Sequence, residues 1–367
     1  MFSYKNYITL NSKFRKSTNI IHDNENCENY ILTTSAQNVL KVLFKLDYHN
    51  AISLIGPFGC GKSTLLLYIN TLLSNNEHQE KCIKKLKDTN NELYNSYKSF
   101  LDKKNFLRIK IIGEHISFKS QLKAVLQENK DLKLSNKYLK EGSFSLNKLL
   151  EFLNKDIEKS LYTDVIFSID EFGKFIEYGL EDHNSNDIFE LQTLSEYVNK
   201  KDNFKLIVSL HKSFNEYNLD SSVISYTDWD KIQGRFENIV FIDDYYEMLN
   251  IFKETITLKE SNNLETSQNI VKEICSDKYF NKNIDIKELE KLFEKIIPIH
   301  PYSVLVISEI FSKYFQNQRS IYSFIFSLEP NGFQDFIETE FEKQELYGLS
   351  NLYDYVSYLL RVYSIVL

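Results

Sequence analysis

The sequence predicts an α/β fold: a five-stranded parallel sheet with helices on both faces, followed by an all-helical domain. Three observations lead there. Apolar runs of strand length alternate with segments of helical periodicity up to about residue 243. The first run, "AISLI" (51–55), opens directly into "GPFGCGKST", which has the spacing of a phosphate loop (Gly, four residues, Gly-Lys-Ser). From about 244 the strand-like runs stop and helical periodicity takes over, with breaks near 260–264, 278–285, 298–301 and 329–333. The expected division is an N-terminal extension (1–34), a core (35–243) and a helical C-terminal domain (244–367).

In order along the chain, "NYITL" and "NYILTT" suggest short strands in an otherwise aperiodic start. "SAQNVLKVLFKL" (35–46) reads as a helix capped by Ser35, with Val39, Leu40, Val42, Leu43 and Leu46 on one face. After the first sheet strand and the loop, "TLLLYINTLL" (64–73) is apolar nearly all round, as a buried helix should be. Between 77 and 104, Cys82, Ile83, Leu86, Leu93, Tyr97, Phe100 and Leu101 recur helically, predicting an inserted amphipathic helix. It is either a packed surface helix or a partner-binding one. Further strands are expected at 105–112, 164–172, 204–210 and 238–242, and helices near 118–129, 145–160 and 187–200. The lysine-rich stretch 130–143 reads as loop.

A chain of 367 residues, 43% hydrophobic and 26% charged, can bury a proper core and is not a disordered composition. A net charge of −7 argues against a globally basic nucleic-acid binder. Lys81, Lys84, Lys85 and Lys87 alternate with acids and read as a solvated helix face, so nucleic-acid binding has no support. Cys27, Cys60, Cys82 and Cys275 are scattered, without a Cys-x-x-Cys pair, which fits reduced thiols in a cytoplasmic protein. The start lacks the apolar core of a signal peptide, and the apolar run 296–311 is broken by Pro, His and Glu. No membrane association is therefore expected.

The loop chemistry is specific. Glycines let consecutive N–H groups curl toward an anion, and the following helix adds its positive end. Gly56, Pro57, Phe58, Gly59, Cys60, Gly61, Lys62, Ser63 and Thr64 form the expected nucleotide-binding set. Lys62 would reach the β- and γ-phosphates, and Ser63 would offer its hydroxyl to Mg2+. "VIFSIDE" then ends a buried strand on Asp170-Glu171, at the sheet edge where parallel sheets bind ligands. Asp170 is the expected Mg2+ residue and Glu171 the carboxylate that polarises an attacking water. "KLIVSLHKSF" should lie beside the first sheet strand and bring Ser209 or His211 to the γ-phosphate. Parity does not choose between them, although His211 stands at the strand end. Arginine is scarce: Arg15, Arg108, Arg235, Arg319 and Arg361. Arg235, in "QGRFENI", sits at a helix end just before the last sheet strand. There it either reaches a neighbouring subunit's γ-phosphate or pairs with Glu237, Asp243 or Asp244.

Phosphate loop, "IDE", polar strand end, "GRFENI" and helical C-terminal part together resemble an ATPase of the AAA+ superfamily. The wording "IDEFGKFIE", "SLHKSF", "QGRFENI" and "NQRSIYSF" is similar to the ATP-binding regions of large ATPases from bacterial phage-defence gene clusters. The resemblance runs from about Thr33 to Tyr355. It implies an AAA+-like core with a helical lid, ATP and Mg2+ as cofactors, a homo-oligomer and a protein effector partner. It also implies a lid arginine at the nucleotide, for which Arg319 is the match, with a surface arginine as the alternative reading. Two features depart from the group: Cys60 inside the loop, and the apolar ending "YLLRVYSIVL" where the group continues further. Three functions stay open: an ATPase driving conformational change in a complex, a nucleotide switch without useful turnover, and a DNA-handling motor or loader. The absence of an "LSGGQ"-like segment excludes an ABC-type ATPase.

Overall fold

The computed structural model describes the chain except for residues 12–17, 23–29, 46–48, 57–59, 142–143, 182–186, 219–231, 242–244, 260–263, 276–285, 315–320 and 365–367. The described elements run as follows. β1 (Ile8–Leu10) and α1 (Thr34–Phe44) precede β2 (Ala51–Ile55) and α2 (Lys62–Leu72). Next come α3 (Glu77–Thr89), α4 (Asn91–Leu101), β3 (Phe106–Ile112), α5 (Phe118–Glu128), α6 (Lys133–Lys140) and α7 (Leu146–Ile157). Then follow β4 (Asp164–Asp170), α8 (Gly173–Glu181), α9 (Asp187–Asn199), β5 (Phe204–Leu210), α10 (Phe214–Asn218) and β6 (Glu237–Val240). The remainder comprises α11 (Tyr245–Thr255), β7 (Ile256–Leu258), α12 (Glu265–Cys275), α13 (Ile286–Lys295), α14 (Pro301–Tyr314), α15 (Ile321–Phe326), α16 (Phe333–Glu338) and α17 (Leu349–Ser364).

The chain divides into two compact units, one of Thr18–Pro57 with Gly61–Phe241, the other chiefly of Met1–Ser17 and Ile242–Leu367. The first holds the five-stranded parallel sheet, in the order β3-β4-β5-β2-β6. Strand β5 lies beside β2, as the sequence predicts, with Ile55 opposite Leu210. β4 and β5 are buried at every residue, which is why both read as unbroken apolar runs. Helix α2 buries Leu65 through Leu72 without a gap, matching its all-round apolar pattern.

Four local readings are corrected. The cap of α1 is Thr33, whose hydroxyl accepts from Ala36 N, and Ser35 lies inside the helix. The single helix expected over 77–104 is two, because Asn90 closes α3 through its backbone and caps α4 with its side chain on Leu93 N. The stretch 130–143 is not all loop, since α6 forms within it. Asp156 of α7 accepts from Leu134 N, Ser135 N and the Ser135 hydroxyl at 2.8–2.9 Å, satisfying the first turn of α6 from outside. "NYILTT" forms no strand among its described residues, and α1 starts at Thr34.

The second unit is mainly helical, with one addition: β7 pairs antiparallel with β1 from the chain start. Its core is aromatic. Phe324, Phe333, Phe336, Tyr347 and Tyr355 interlock with ring centroids 5.2–6.0 Å apart. Tyr4 joins this cluster against Phe336 and donates to Glu345 O at 2.7 Å. No described helix is long and apolar enough to cross a membrane.

Asp156→Ala should strand three donors at the start of α6, two of them buried. We expect a loss of about 1–3 kcal/mol in urea-induced unfolding, with Asp156→Asn losing less.

Candidate nucleotide site

The C-terminal ends of β2, β4 and β5 gather the side chains predicted to act on phosphate. Gly56 follows β2, and its N–H donates to Leu210 O at 3.1 Å, so the phosphate loop leaves the sheet directly beside His211. Gly61 caps α2 with φ +93°, a left-handed conformation that glycine adopts freely. Lys62 is 8% exposed, and its Nζ donates to Gly56 O at 2.7 Å. Its ammonium is thereby held against the residue that follows β2. Ser63 and Thr64 occupy the first turn of α2, half-buried. Thr18, which the sequence reading left in an aperiodic segment, approaches this turn, its hydroxyl 3.0 Å from that of Thr64.

Asp170 ends β4 and is 4% exposed. The Ser209 hydroxyl donates to its Oδ1 at 2.5 Å, and Glu171 N meets the same pair, 3.1 Å from Asp170 Oδ1 and 3.0 Å from Ser209 Oγ. Between the two residues the sequence left open, Ser209 is thus occupied with Asp170, while His211 stands beyond the strand at the loop. Glu171 has φ +51°, an uncommon conformation for a residue with a side chain. It is held there by close packing: Gly113 N donates to Asp170 O at 2.7 Å, and a Cβ on Gly113 would sit 2.2 Å from Glu171 O. The Glu171 carboxylate forms an ion pair with Lys174, in the first turn of α8.

His211 Nδ1 lies 3.1 Å from the Tyr217 hydroxyl and Nε2 3.6 Å from Glu177 Oε1. Burial is the main influence lowering its pKa to about 4, with Lys212 and Lys62 adding to it against the opposing pull of Glu171 and Glu216. At neutral pH the ring is uncharged.

Arg235 lies elsewhere. It precedes β6, whose Glu237 pairs with Ile52, so it stands at the opposite, N-terminal edge of the sheet. By the rise of a strand, Ile52 to Gly56 is about 13 Å. Among the described residues it pairs with Glu196 of α9, Nη2 to Oε1 at 2.5 Å, and not with Glu237; Asp243 and Asp244 lie outside the described residues. The Glu196 carboxyl is held below its ordinary range by the Gln192 hydrogen bond and then by Arg235. Pro57, Phe58, Gly59 and Arg319 also lie outside the described residues. Cys60 is half-buried and carries a thiol, not a disulfide.

The sequence matches no protein-family model. It matches no curated protein. Solved structures with some likeness include the Walker-type ATPase PABY2304 of Pyrococcus abyssi, at TM-score 0.34 and 15% identity over 78% of this chain and 68% of that one. AMPPCP-bound DnaA from Aquifex aeolicus scores 0.34 at 11% identity, covering 79% and 70%. PCH-2 of C. elegans scores 0.32 at 12% identity, covering 74% and 71%. Likeness at this level carries no argument about the chain. Its own topology does: a parallel sheet in which the loop strand β2 and the acidic strand β4 flank β5, with helices on both faces, is a phosphate-loop NTPase fold joined to a mainly helical unit.

The His211 pKa makes a prediction with a definite sign. Because the folded value of about 4 lies below the unfolded 6.5, this histidine stabilises fully above pH 6.5, and that contribution is lost as pH falls through about 4. Urea midpoints between pH 7 and pH 4 should therefore drop further for the wild type than for His211→Gln.

Proposed function

We propose that this chain binds ATP with Mg2+ and hydrolyses it, as one subunit of a homo-oligomer whose conformational change is passed to a protein partner. The observation that supports this most is the convergence of Lys62, Ser63, Asp170, Glu171 and His211 on one sheet edge. The residues fit a magnesium ion. Among the described residues no cluster of three or more His, Cys, Asp or Glu could hold a metal. A buried aspartate and a helix-start serine suit Mg2+, which keeps water and phosphate oxygens as its remaining ligands. When bound, the ion would draw negative charge from the phosphate oxygens. Lys62 exchanges the Gly56 carbonyl for the β- and γ-phosphates, and the loop N–H groups donate hydrogen bonds to the anion. Ser209 fixes the orientation of Asp170. Glu171, once released from Lys174, accepts a hydrogen bond from the attacking water and polarises it. Arg235 faces away from its own loop, so in this reading it serves a neighbour's, exchanging Glu196 for the γ-phosphate.

A nucleotide switch is the second reading. The ion pairs Glu171–Lys174 and Arg235–Glu196 favour it, because both groups needed for turnover are engaged elsewhere. A role in defence against phage rests on the motif resemblance alone.

Lys62→Ala should lose tight ATP binding in calorimetry, since its ammonium is the loop's cation for the β- and γ-phosphates. Glu171→Gln should bind ATP as the wild type does and release no phosphate. Undiminished release by that variant would move the assignment to another base.

Arg235→Ala should keep ATP affinity and lose on the order of 10³-fold in turnover, with no rescue by Arg235→Lys, whose ammonium lacks the guanidinium fork. Mixing Arg235→Ala with Lys62→Ala subunits should restore part of the activity. A dead mixture of subunits that co-assemble would make Arg235 a structural ion-pair residue, held by Glu196.

A further inference from the structure

The ring of His211 is held on both sides by groups that choose its tautomer. Tyr217, 1% exposed on α10, places its hydroxyl 3.1 Å from Nδ1, with the two rings edge to face and their centroids 5.5 Å apart. On the far side, Nε2 stands 3.6 Å from Glu177 Oε1. A bare lone pair on Nε2 would point at a carboxylate oxygen, an unfavourable contact, whereas an N–H there points its positive end at it. The hydrogen therefore belongs on Nε2. Nδ1 is then an acceptor, and the phenol must donate. Tyr217 is suited to that role, because burial, reinforced by Glu177 and Glu216, raises its pKa far above the ordinary value and keeps the O–H intact.

The backbone makes room for this pair. A Cβ on Gly173, at the start of α8, would lie 2.0 Å from the Tyr217 hydroxyl and 3.2 Å from His211 Cε1. The first turn of the helix that follows Glu171 is therefore packed directly against the tyrosine–histidine contact, and glycine is what allows the approach.

We infer that Tyr217 is a positioning residue, whose hydroxyl acts with Glu177 to hold His211 in the Nε2–H tautomer so that an uncharged N–H donor is available to the terminal phosphate at the loop edge. The phosphate part of this rests on the nucleotide reading above; the tautomer does not. In the opposite tautomer the imidazole would present a lone pair to the phosphate oxygens and repel them. As an imidazolium it would pair with Glu177 and have to be pulled from it. The uncharged Nε2–H donor can pass from Glu177 to phosphate by exchanging one hydrogen bond for another.

The test uses the full chain labelled with ¹⁵N-histidine, with the His211 signals identified by their loss in His211→Gln. In the wild type at pH 7, Nε2 should carry the proton and Nδ1 should show the shift of a bare, hydrogen-bonded nitrogen. In Tyr217→Phe the preference should weaken to a mixture of tautomers. A wild-type signal with the proton on Nδ1 overturns the inference without any variant having to fold. In turnover, Tyr217→Phe should lose about two- to tenfold, the weight of one hydrogen bond, at unchanged ATP affinity. The same change should add nothing in a His211→Gln background. Wild-type turnover in Tyr217→Phe beside a loss in His211→Gln, or losses that multiply, would also overturn it. If the wild type neither binds nor turns over ATP while the Nε2–H signal is present, the nucleotide reading fails and the positioning by Tyr217 stands.

Discussion

A hydroxyl on one strand and a carboxylate on the next hold the working edge of this protein together. Ser209 at the end of β5 donates to Asp170 at the end of β4, and Glu171 N closes the same knot. Buried carboxylates are costly unless their oxygens are satisfied, so this bond is a condition for placing an aspartate there at all. Everything else at the edge follows its geometry. β5 is pinned between β4 and β2, which sets His211 beside Gly56, and the chain leaves β4 in the direction that brings α8 and its Lys174 under Glu171.

Much of this was legible in the sequence, and the reasons differ by element. Strands β2 and β5 were read to the residue, because central strands buried on both faces leave uninterrupted apolar runs. The spacing of a phosphate loop stands out because that chemistry demands fixed residue types at fixed positions, and of its residues Pro57, Phe58 and Gly59 lie outside the described ones. Helix α6 was not legible, because its short amphipathic run is lysine-rich and its first turn is satisfied by Asp156, 21 residues beyond Ser135, a partner no local pattern contains. Asn90 escaped for a different reason: one asparagine ends a helix and begins the next without breaking the apolar spacing that spans both.

The site shows the same division between local and distant causes. Parity put Ser209 and His211 on one side of a strand, and only the neighbouring strand reveals that one hydroxyl is already engaged. Arg235 was recognised as an arginine at a junction, but its partner Glu196 belongs to a helix forty residues earlier. Tyr217 carried no signal. A tyrosine six residues beyond a strand-end histidine acquires meaning once α10 folds it back onto the ring.

The backbone at Glu171 has a last implication. A left-handed conformation suits glycine or asparagine, and a glutamate held in it stores unfavourable energy that neither of those would. Gly113, packed against the carbonyl of that same residue, leaves the chain little freedom to relax elsewhere. Folding considered by itself would choose a different amino acid at position 171. Under the proposed function the carboxylate is what glycine or asparagine could not supply, and in that reading this one residue separates the demands of architecture from those of chemistry.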